Sequence, residues 1–316
     1  MINRVQFYAQ DLRILRALGH RVDVATRAHQ LRPADLYFVW WWTWAFQPLA
    51  LAKLLRRPII ITGVFDEWAF NTRPAPHQYL MRTALAAADA NVFVSQMEAD
   101  VMARRFRMGP SVAVPLTVDS NVYRPDDSLR EPLLLTVGWL TRGNAERKGI
   151  PLVLEAASIL RRRHSSLRVV VAGTYGDGLP GLIALADRLG IRDITEFPGT
   201  VTDAEKIRLM QRCAAYVQPS AFEGFGLAAL EAMACGAPVV ASDGGALPEV
   251  IGDGGYAVPK PTGTSVAAAI DRILRSPELT AELSRRGVAR ARAEFSPQRR
   301  AEALSRIIDD AVARRV

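Results

Sequence analysis

Residues 213–242 read CAAYVQPSAFEGFGLAALEAMACGAPVVAS. Ala215 to Gln218 forms an apolar run of strand type, a loop carrying Gly224 and Gly226 follows, Leu227 to Cys235 has the character of a buried helix, and Pro238 to Ser242 is a second apolar run. Strand, glycine-bearing turn, helix and strand make one βαβ unit, whose strands run parallel and are covered on both faces.

The same alternation extends in both directions. Upstream, strands are predicted at Pro132 to Val137, Leu167 to Ala172 and Thr195 to Phe197, with helices at Gly149 to Arg162 and Leu179 to Leu189. In the first part of the chain, strands are predicted at Arg21 to Thr26, Asp35 to Val39, Pro58 to Thr62, Ala90 to Ser95 and Ser111 to Pro115. The segment Asp119 to Arg130 is polar, holds Pro125 and has no apolar period, so it reads as a linker. The fold class expected is α/β, with two doubly wound parallel-sheet domains, at 1–127 and 128–298, and a final helix at 299–316 crossing back to the first. Ligand is expected in the cleft between them, at the carboxyl ends of the strands. Met1 to Ala9 (MINRVQFYA) offers no clear opening strand or glycine turn, so the first strand is either missing or irregular.

Composition narrows the function. A chain of 316 residues with 49% hydrophobic residues can bury two cores of ordinary size. The net charge of +8 is spread evenly, and the Lys+Arg total of 40 includes only four lysines, at 53, 148, 206 and 260. An arginine excess without clustering speaks against nucleic acid as a partner. Cys213 and Cys235, set in apolar surroundings, read as buried free thiols of a cytoplasmic protein. Polar residues at Arg4, Gln6, Gln10 and Asp11 stand where a signal peptide would need an apolar stretch. Leu36 to Ala52 is apolar but is interrupted by Thr43, Gln47 and Pro48 and falls short of the ~20 residues of a membrane span.

The helix LAALEAMAC carries one charge on an otherwise apolar surface. At ~100° per residue, Glu231 points between Leu227 on one side and Leu230 and Ala234 on the other. A carboxylate there costs several kcal/mol unless something donates hydrogen bonds to it. A ligand diol would meet that need; so would an arginine or a backbone N–H. Ahead of the helix, Gly224 and Gly226 let the backbone approach a ligand, and the helix start at Leu227 presents unpaired N–H groups to an anion or a sugar hydroxyl. Upstream, VGWLTRGNAERKG (137–149) delivers Arg142 and Lys148 in a polar turn after a strand, as a diphosphate clamp or as solvated surface, with Arg147 the less favoured candidate.

The two glutamates eight apart, GFG after the first and EAMACG-PVVAS around the second, together with DGGALPE (243–249) and GDGG (252–255), resemble the signature of the family 4 retaining glycosyltransferases. The likeness covers most of residues 132–298 and implies the GT-B fold. It implies that Glu223, with the backbone of Gly224, Phe225 and Gly226, contacts hydroxyls of a nucleotide sugar, and that Glu231 binds the nucleotide's ribose. Arg142 and Lys148 would neutralise the departing diphosphate, Gly173 would line the nucleotide pocket, and Thr200 and Val201 would lie near the base. The reaction implied is hexosyl transfer to a hydroxyl acceptor, sugar, lipid-linked or small, with no cofactor beyond the nucleotide-sugar co-substrate. No DxD occurs and the histidines lack ligand spacing, so no metal is implied.

The first half departs from that pattern. Where many members carry a histidine, TGVFDEW (62–68) has Val64, leaving Asp66 or Glu67 to take over polar contacts. A nucleotide-sugar-binding subunit inactive without a partner chain is therefore the rival reading. Trp40, Trp41, Trp42 and Trp44 follow a strand, as an acceptor platform, a bilayer contact or core packing. Lys53, Arg56, Arg57, Arg104, Arg105 and Arg107 add either attraction to anionic lipid, which would make the protein membrane-associated, or plain solvated surface.

Overall fold

The computed structural model describes residues 6–65, 67–126 and 128–315. The chain forms two compact units, residues 1–117 with 297–316, and residues 118–296. The unit boundary falls earlier than the residue 127 expected from the polar segment. Val118 and Tyr123 are buried in the second unit, the Val118 amide donates to Phe295 O (3.0 Å), and Gln211 Nε2 donates to Arg124 O (2.8 Å). These anchors tie the start of that segment down.

The first unit begins with α1 (Gln6–Ala17) and continues through β1 (Tyr37–Trp40), α2 (Phe46–Leu54), β2 (Ile59–Gly63), α3 (Glu67–Thr72), α4 (Ala75–Ala87), β3 (Ala90–Phe93), α5 (Gln96–Arg105) and β4 (Ser111–Ala113). Its sheet is all parallel, in the order β1-β2-β3-β4. The run IIITG of β2 is buried throughout because helices cover both faces. Ile59 and Ile61 join Trp42, Phe70, Leu85 and Phe93 on one side, while Ile60 joins Ile14, Leu15, Leu304 and Ile308 on the other.

One expectation fails here. Residues 21–26 (RVDVAT) form no strand; Arg21, Asp23 and Val24 are exposed, and among the described residues no strand pairs with them. Alternation marks a segment that could be half buried, but a strand also needs a neighbour to accept its ladder bonds. The irregular opening of the chain is helical from Gln6 onward, and residues 1–5 lie outside the described residues.

Of the tryptophan cluster, Trp40 ends β1 and the other three follow it. Trp42 is 2% exposed, stacks on Phe93 at 5.1 Å and donates its indole N–H to Asn91 Oδ1 (2.8 Å), so it packs the core. Trp40 donates to Asp11 Oδ2 (3.0 Å) and Trp41 to the Tyr8 hydroxyl. Trp44, 72% exposed, is left to face solvent.

Beneath Trp40 lies a buried ion pair. Arg300 donates from Nε and Nη2 to the two oxygens of Asp11 (2.7 and 3.0 Å) and from Nη1 to Val114 O and Pro115 O (2.6 and 3.0 Å). Both side chains are at most 2% exposed. This fork fixes the helix Pro297–Ala313 against α1 within the first unit.

The second unit runs β5 (Glu131–Val137), α6 (Arg142–Arg147), α7 (Ile150–Arg161), β6 (Arg168–Ala172), α8 (Leu179–Arg188), β7 (Thr195–Gly199), α9 (Asp203–Arg212), β8 (Cys213–Gln218), α10 (Leu227–Ala234), β9 (Val239–Ser242), α11 (Leu247–Ile251), β10 (Tyr256–Val258), α12 (Gly263–Arg275) and α13 (Pro277–Glu294). Its six strands are parallel, in the order β10-β9-β8-β5-β6-β7. The order reverses at β5 and β8, so the chain leaves these neighbouring strands in opposite directions and opens a crevice at their carboxyl ends. The polar turn expected after β5 folds instead as the short α6. Helix α9 went unread although Thr202 and Glu205 form a capping box: Glu205 N donates to Thr202 Oγ1 (3.2 Å) and Thr202 N to Glu205 Oε2 (2.8 Å). Cys213 and Cys235 are buried as expected, and burial pushes both thiols up to about 12. Among the described residues no helix is long and apolar enough to cross a membrane.

Candidate functional site

At the carboxyl ends of β5 and β8 the second unit gathers charge. Gly149 has φ +69°, and a Cβ there would stand 2.3 Å from Pro219 O, so only glycine lets the turn after α6 press against the loop leaving β8. That approach is held by the Ala221 amide, which donates to Arg147 O (2.7 Å). It brings Lys148 and Arg147 onto Glu223.

Glu223 Oε2 accepts from Gln218 Nε2 (3.0 Å), Lys148 Nζ (3.2 Å), Arg147 Nη1 (3.3 Å) and Ser220 Oγ (3.5 Å). Arg147 is braced further, donating to Phe222 O (2.6 Å) and to Asn144 Oδ1 (2.8 Å). Lys148 is 12% exposed and Glu223 15%, so this is a partly desolvated cluster in which charge is felt more strongly than at an open surface. Two cations against one carboxylate leave an excess of positive charge.

The structure does not bring Arg142 into this group. It opens α6 with an exposed side chain, and its backbone N–H donates to Asp177 Oδ1 (3.0 Å). The sequence reading paired Arg142 with Lys148 and left Arg147 as the less favoured candidate. Once that stretch coils into a helix, Arg147 stands beside Lys148 and Arg142 a full turn away.

The flanking backbone is arranged for close approach. Gly224, Phe225 and Gly226 are buried, with Phe225 packed edge-on against Phe295 at 5.9 Å. Gly226 caps α10 in the left-handed conformation (φ +100°) with no side chain bonded to the helix start at Leu227. Gly173 at the end of β6 has φ +148° and a Cβ there would collide with Gly138 O at 1.8 Å, so the ends of β5 and β6 touch. Thr200 Oγ1 lies 3.1 Å from Thr174 Oγ1, and Val201 next to it is half-buried. Three exposed aromatics that sequence reasoning did not single out accompany these ends: Trp139 (68% exposed) after β5, Tyr175 (54%) after β6 and Phe222 (44%) after β8. Their common signal was position, two to four residues past a predicted strand.

Glu231 is 2% exposed on α10, as the helix pattern required. Its partner is neither an arginine nor a backbone amide but Lys206 of α9, whose Nζ stands 2.9 Å from Oε2. Lys206 also lies 5.3 Å from the centroid of the Tyr123 ring. Burial alone would lower the Lys206 ammonium, but the charge of Glu231 and the contact with Tyr123 outweigh it and raise the group above the usual lysine range. Burial, reinforced by Glu231, raises the Tyr123 hydroxyl to about 12. Glu231 Oε1 is buried and has no hydrogen-bond partner.

In the first unit, Val64 is half-buried after β2; Asp66 lies outside the described residues, as does the side chain of Glu67. Among the described residues no three His, Cys, Asp or Glu side chains converge as metal ligands would.

Residues 128–290 match the model of a family described as glycosyl transferases group 1. A D-inositol 3-phosphate glycosyltransferase of Saccharomonospora viridis is 33% identical over 247 residues, 72% of this chain and 57% of the relative. An MMP alpha-(1->4)-mannosyltransferase of Mycolicibacterium hassiacum is 32% identical over 227 residues, 70% of this chain and 54% of the relative. The chain thus spans a little over half the length of these curated relatives. Among solved structures, Anabaena HepE in complex with UDP and glucose aligns at a TM-score of 0.78 with 19% identity, covering 89% of this chain and 79% of that one. Sucrose-phosphate synthase from Thermosynechococcus elongatus aligns at 0.74 with 23% identity, covering 89% and 74%. The fold is that of the GT-B glycosyltransferases.

Proposed function

The chain belongs to the group 1 glycosyltransferases, and on that premise we propose that it moves a hexosyl group from a nucleoside-diphosphate donor to a hydroxyl acceptor, with retention of anomeric configuration and without a metal ion. The observation that carries this reading is the Lys148–Arg147–Glu223 cluster at the sheet's switch point. Its surplus positive charge suits the β-phosphate of a departing diphosphate, and its carboxylate suits donor-sugar hydroxyls. Lys148 and Arg147 are assigned to the diphosphate, with Arg142 as an outer cation at the mouth of the same turn. Backbone groups of Gly224, Phe225 and Gly226 and the start of α10 at Leu227 complete the sugar and phosphate contacts.

In the transfer, the bond from the anomeric carbon to the β-phosphate oxygen breaks while the acceptor oxygen bonds to the same face of that carbon. The acceptor proton passes to the departing phosphate oxygen, leaving a glycoside and a nucleoside diphosphate. Glu223 holds sugar hydroxyls and forms no covalent bond. Glu231 offers Oε1 to the ribose, and Gly173, Thr200 and Val201 line the nucleotide side. The complex of HepE with UDP makes UDP the first nucleotide to try. The protein is assigned to the cytoplasm, with exposed Trp44 as the candidate point of peripheral membrane contact.

The test is incubation with a panel of UDP-, GDP- and ADP-sugars, with and without EDTA, following donor hydrolysis and the anomeric configuration of product by NMR. Turnover that survives EDTA and gives the donor's own configuration supports the reading. An inverted product or an absolute metal requirement would sink it. Donor binding without turnover would favour a nucleotide-sugar-binding subunit that needs a partner chain.

A further inference from the structure

Glu231 and Lys206 lie on different helices, α10 and α9, and meet one turn below the carboxyl end of the sheet. A buried ion pair kept for stability alone satisfies both oxygens of its acid, because each lone pair left bare carries a desolvation cost. Glu231 does not fit that description: Oε2 is engaged at 2.9 Å and Oε1 is bare at 2% residue exposure.

We propose that Lys206, backed by Tyr123, is a positioning residue for Glu231: its ammonium engages Oε2 and so turns Oε1 toward the hydroxyls of the bound nucleotide's ribose. The inference rests on the ribose assignment above and adds the residues that make it work. A glutamate has three rotatable side-chain bonds, and an unrestrained one would spread its oxygens over many positions; one fixed oxygen fixes the other. Lysine suits the task because its ammonium can donate to several acceptors at once. It meets Glu231 Oε2, the Tyr123 hydroxyl and, at 3.6 Å, Asp203 Oδ1. Among the described residues, the ionisable groups that feel Glu231 are Lys206 from α9, Tyr123 from the segment before β5, Tyr216 from β8 and Cys235 just past α10; Asp203 acts on Lys206 and Tyr123, and Glu223 on Tyr216. Lys206 is the cation among them in contact with Glu231. Tyr123, Tyr216 and Cys235 all hold their protons more tightly than usual, so they stay neutral around the carboxylate at neutral pH.

The experiment titrates UDP, GDP and ADP into the full chain by calorimetry from pH 5 to 8, using the nucleotide that wild type binds best, and compares Lys206→Met, Lys206→Arg, Tyr123→Phe and Glu231→Gln. Differences from wild type at each pH cancel the nucleotide's own titration. Lys206→Met is expected to weaken binding on the order of tenfold, and most at pH 5. Its carboxylate, left in apolar surroundings without a cation, takes up a proton as the pH falls and ceases to be a full acceptor. Lys206→Arg should restore a profile parallel to wild type, and Tyr123→Phe should show a smaller loss.

A Lys206→Met variant that melts earlier yet binds nucleotide with unchanged affinity and a parallel pH profile is structural only, and overturns the inference. Should that variant not fold, Tyr123→Phe decides: weaker binding supports the inference and unchanged binding overturns it. Loss in Glu231→Gln with none in Lys206→Met sinks the positioning role and spares the ribose assignment. Wild-type affinity in Glu231→Gln, or no nucleotide bound by wild type, sinks the ribose assignment itself and this inference with it.

Discussion

Asp11 and Glu231 are both buried carboxylates paired with a cation from a distant helix, and they differ in what is left over. Asp11 is closed: Arg300 takes both oxygens, Trp40 adds a third bond, and Arg300 Nη1 donates to the Val114 and Pro115 carbonyls. Glu231 is open, with Lys206 on one oxygen and nothing on the other. The first arrangement has no capacity for a ligand and serves to clasp the ends of its unit together. The second holds one bond in reserve. Counting bonds per oxygen thus separates a closed ion pair from one with an acceptor to spare, where burial and charge alone would not.

The comparison can be broken in order of expected effect. Asp11→Ala leaves Arg300 buried without a counter-charge and should cost about 3–5 kcal/mol of unfolding free energy, read by urea denaturation. Nucleotide affinity should stay at the wild-type value, and a matching loss of affinity would show that the closed pair is not purely structural. Lys148→Ala should lower the transfer rate on the order of 10²–10³-fold, measured at saturating donor, with little change in melting temperature. Glu231→Gln keeps an oxygen for Lys206 but gives up a charged acceptor, so nucleotide affinity should fall by about 1.5–3 kcal/mol. Its stability should suffer less than that of Asp11→Ala, which is the sharpest check on the open and closed distinction. Arg142→Ala, on an exposed face away from Glu223, should change the rate by no more than about twofold, the scatter of ordinary surface substitutions. A larger drop would return Arg142 to the diphosphate clamp.

Much of the second unit was legible because its strands announce themselves: PLLLTV (132–137), RVVVA (168–172) and PVVAS (238–242) are apolar runs bounded by turns, and buried parallel strands read that way. The stretch RVDVAT carried an equally good pattern and is not a strand, since pattern reports what a segment could bury and not which neighbour it will find. In the site, Glu231 could be located from helix geometry alone, as the one charge on an apolar helix. Its partner could not, because the Lys206 contact depends on how α9 and α10 pack. A trace was present nonetheless: Lys206 stands four residues before buried Met210, so it shares the stripe of α9 that faces inward. That Arg147 and not Arg142 would stand beside Glu223 was not legible, because a helix of six residues, mostly polar, leaves no periodic mark.

Cys213 and Cys235 bear on how these questions can be approached. Both thiols are enclosed, and their protons are held up to about 12, so neither offers a thiolate to a maleimide or an iodoacetamide at neutral pH. The native chain is therefore silent toward thiol labelling while folded. A single Phe222→Cys substitution, at a 44% exposed position next to Glu223, would accept one fluorophore without further engineering. Its emission would then follow donor arrival at the Lys148 cluster in real time, and separate the speed of binding from the speed of transfer.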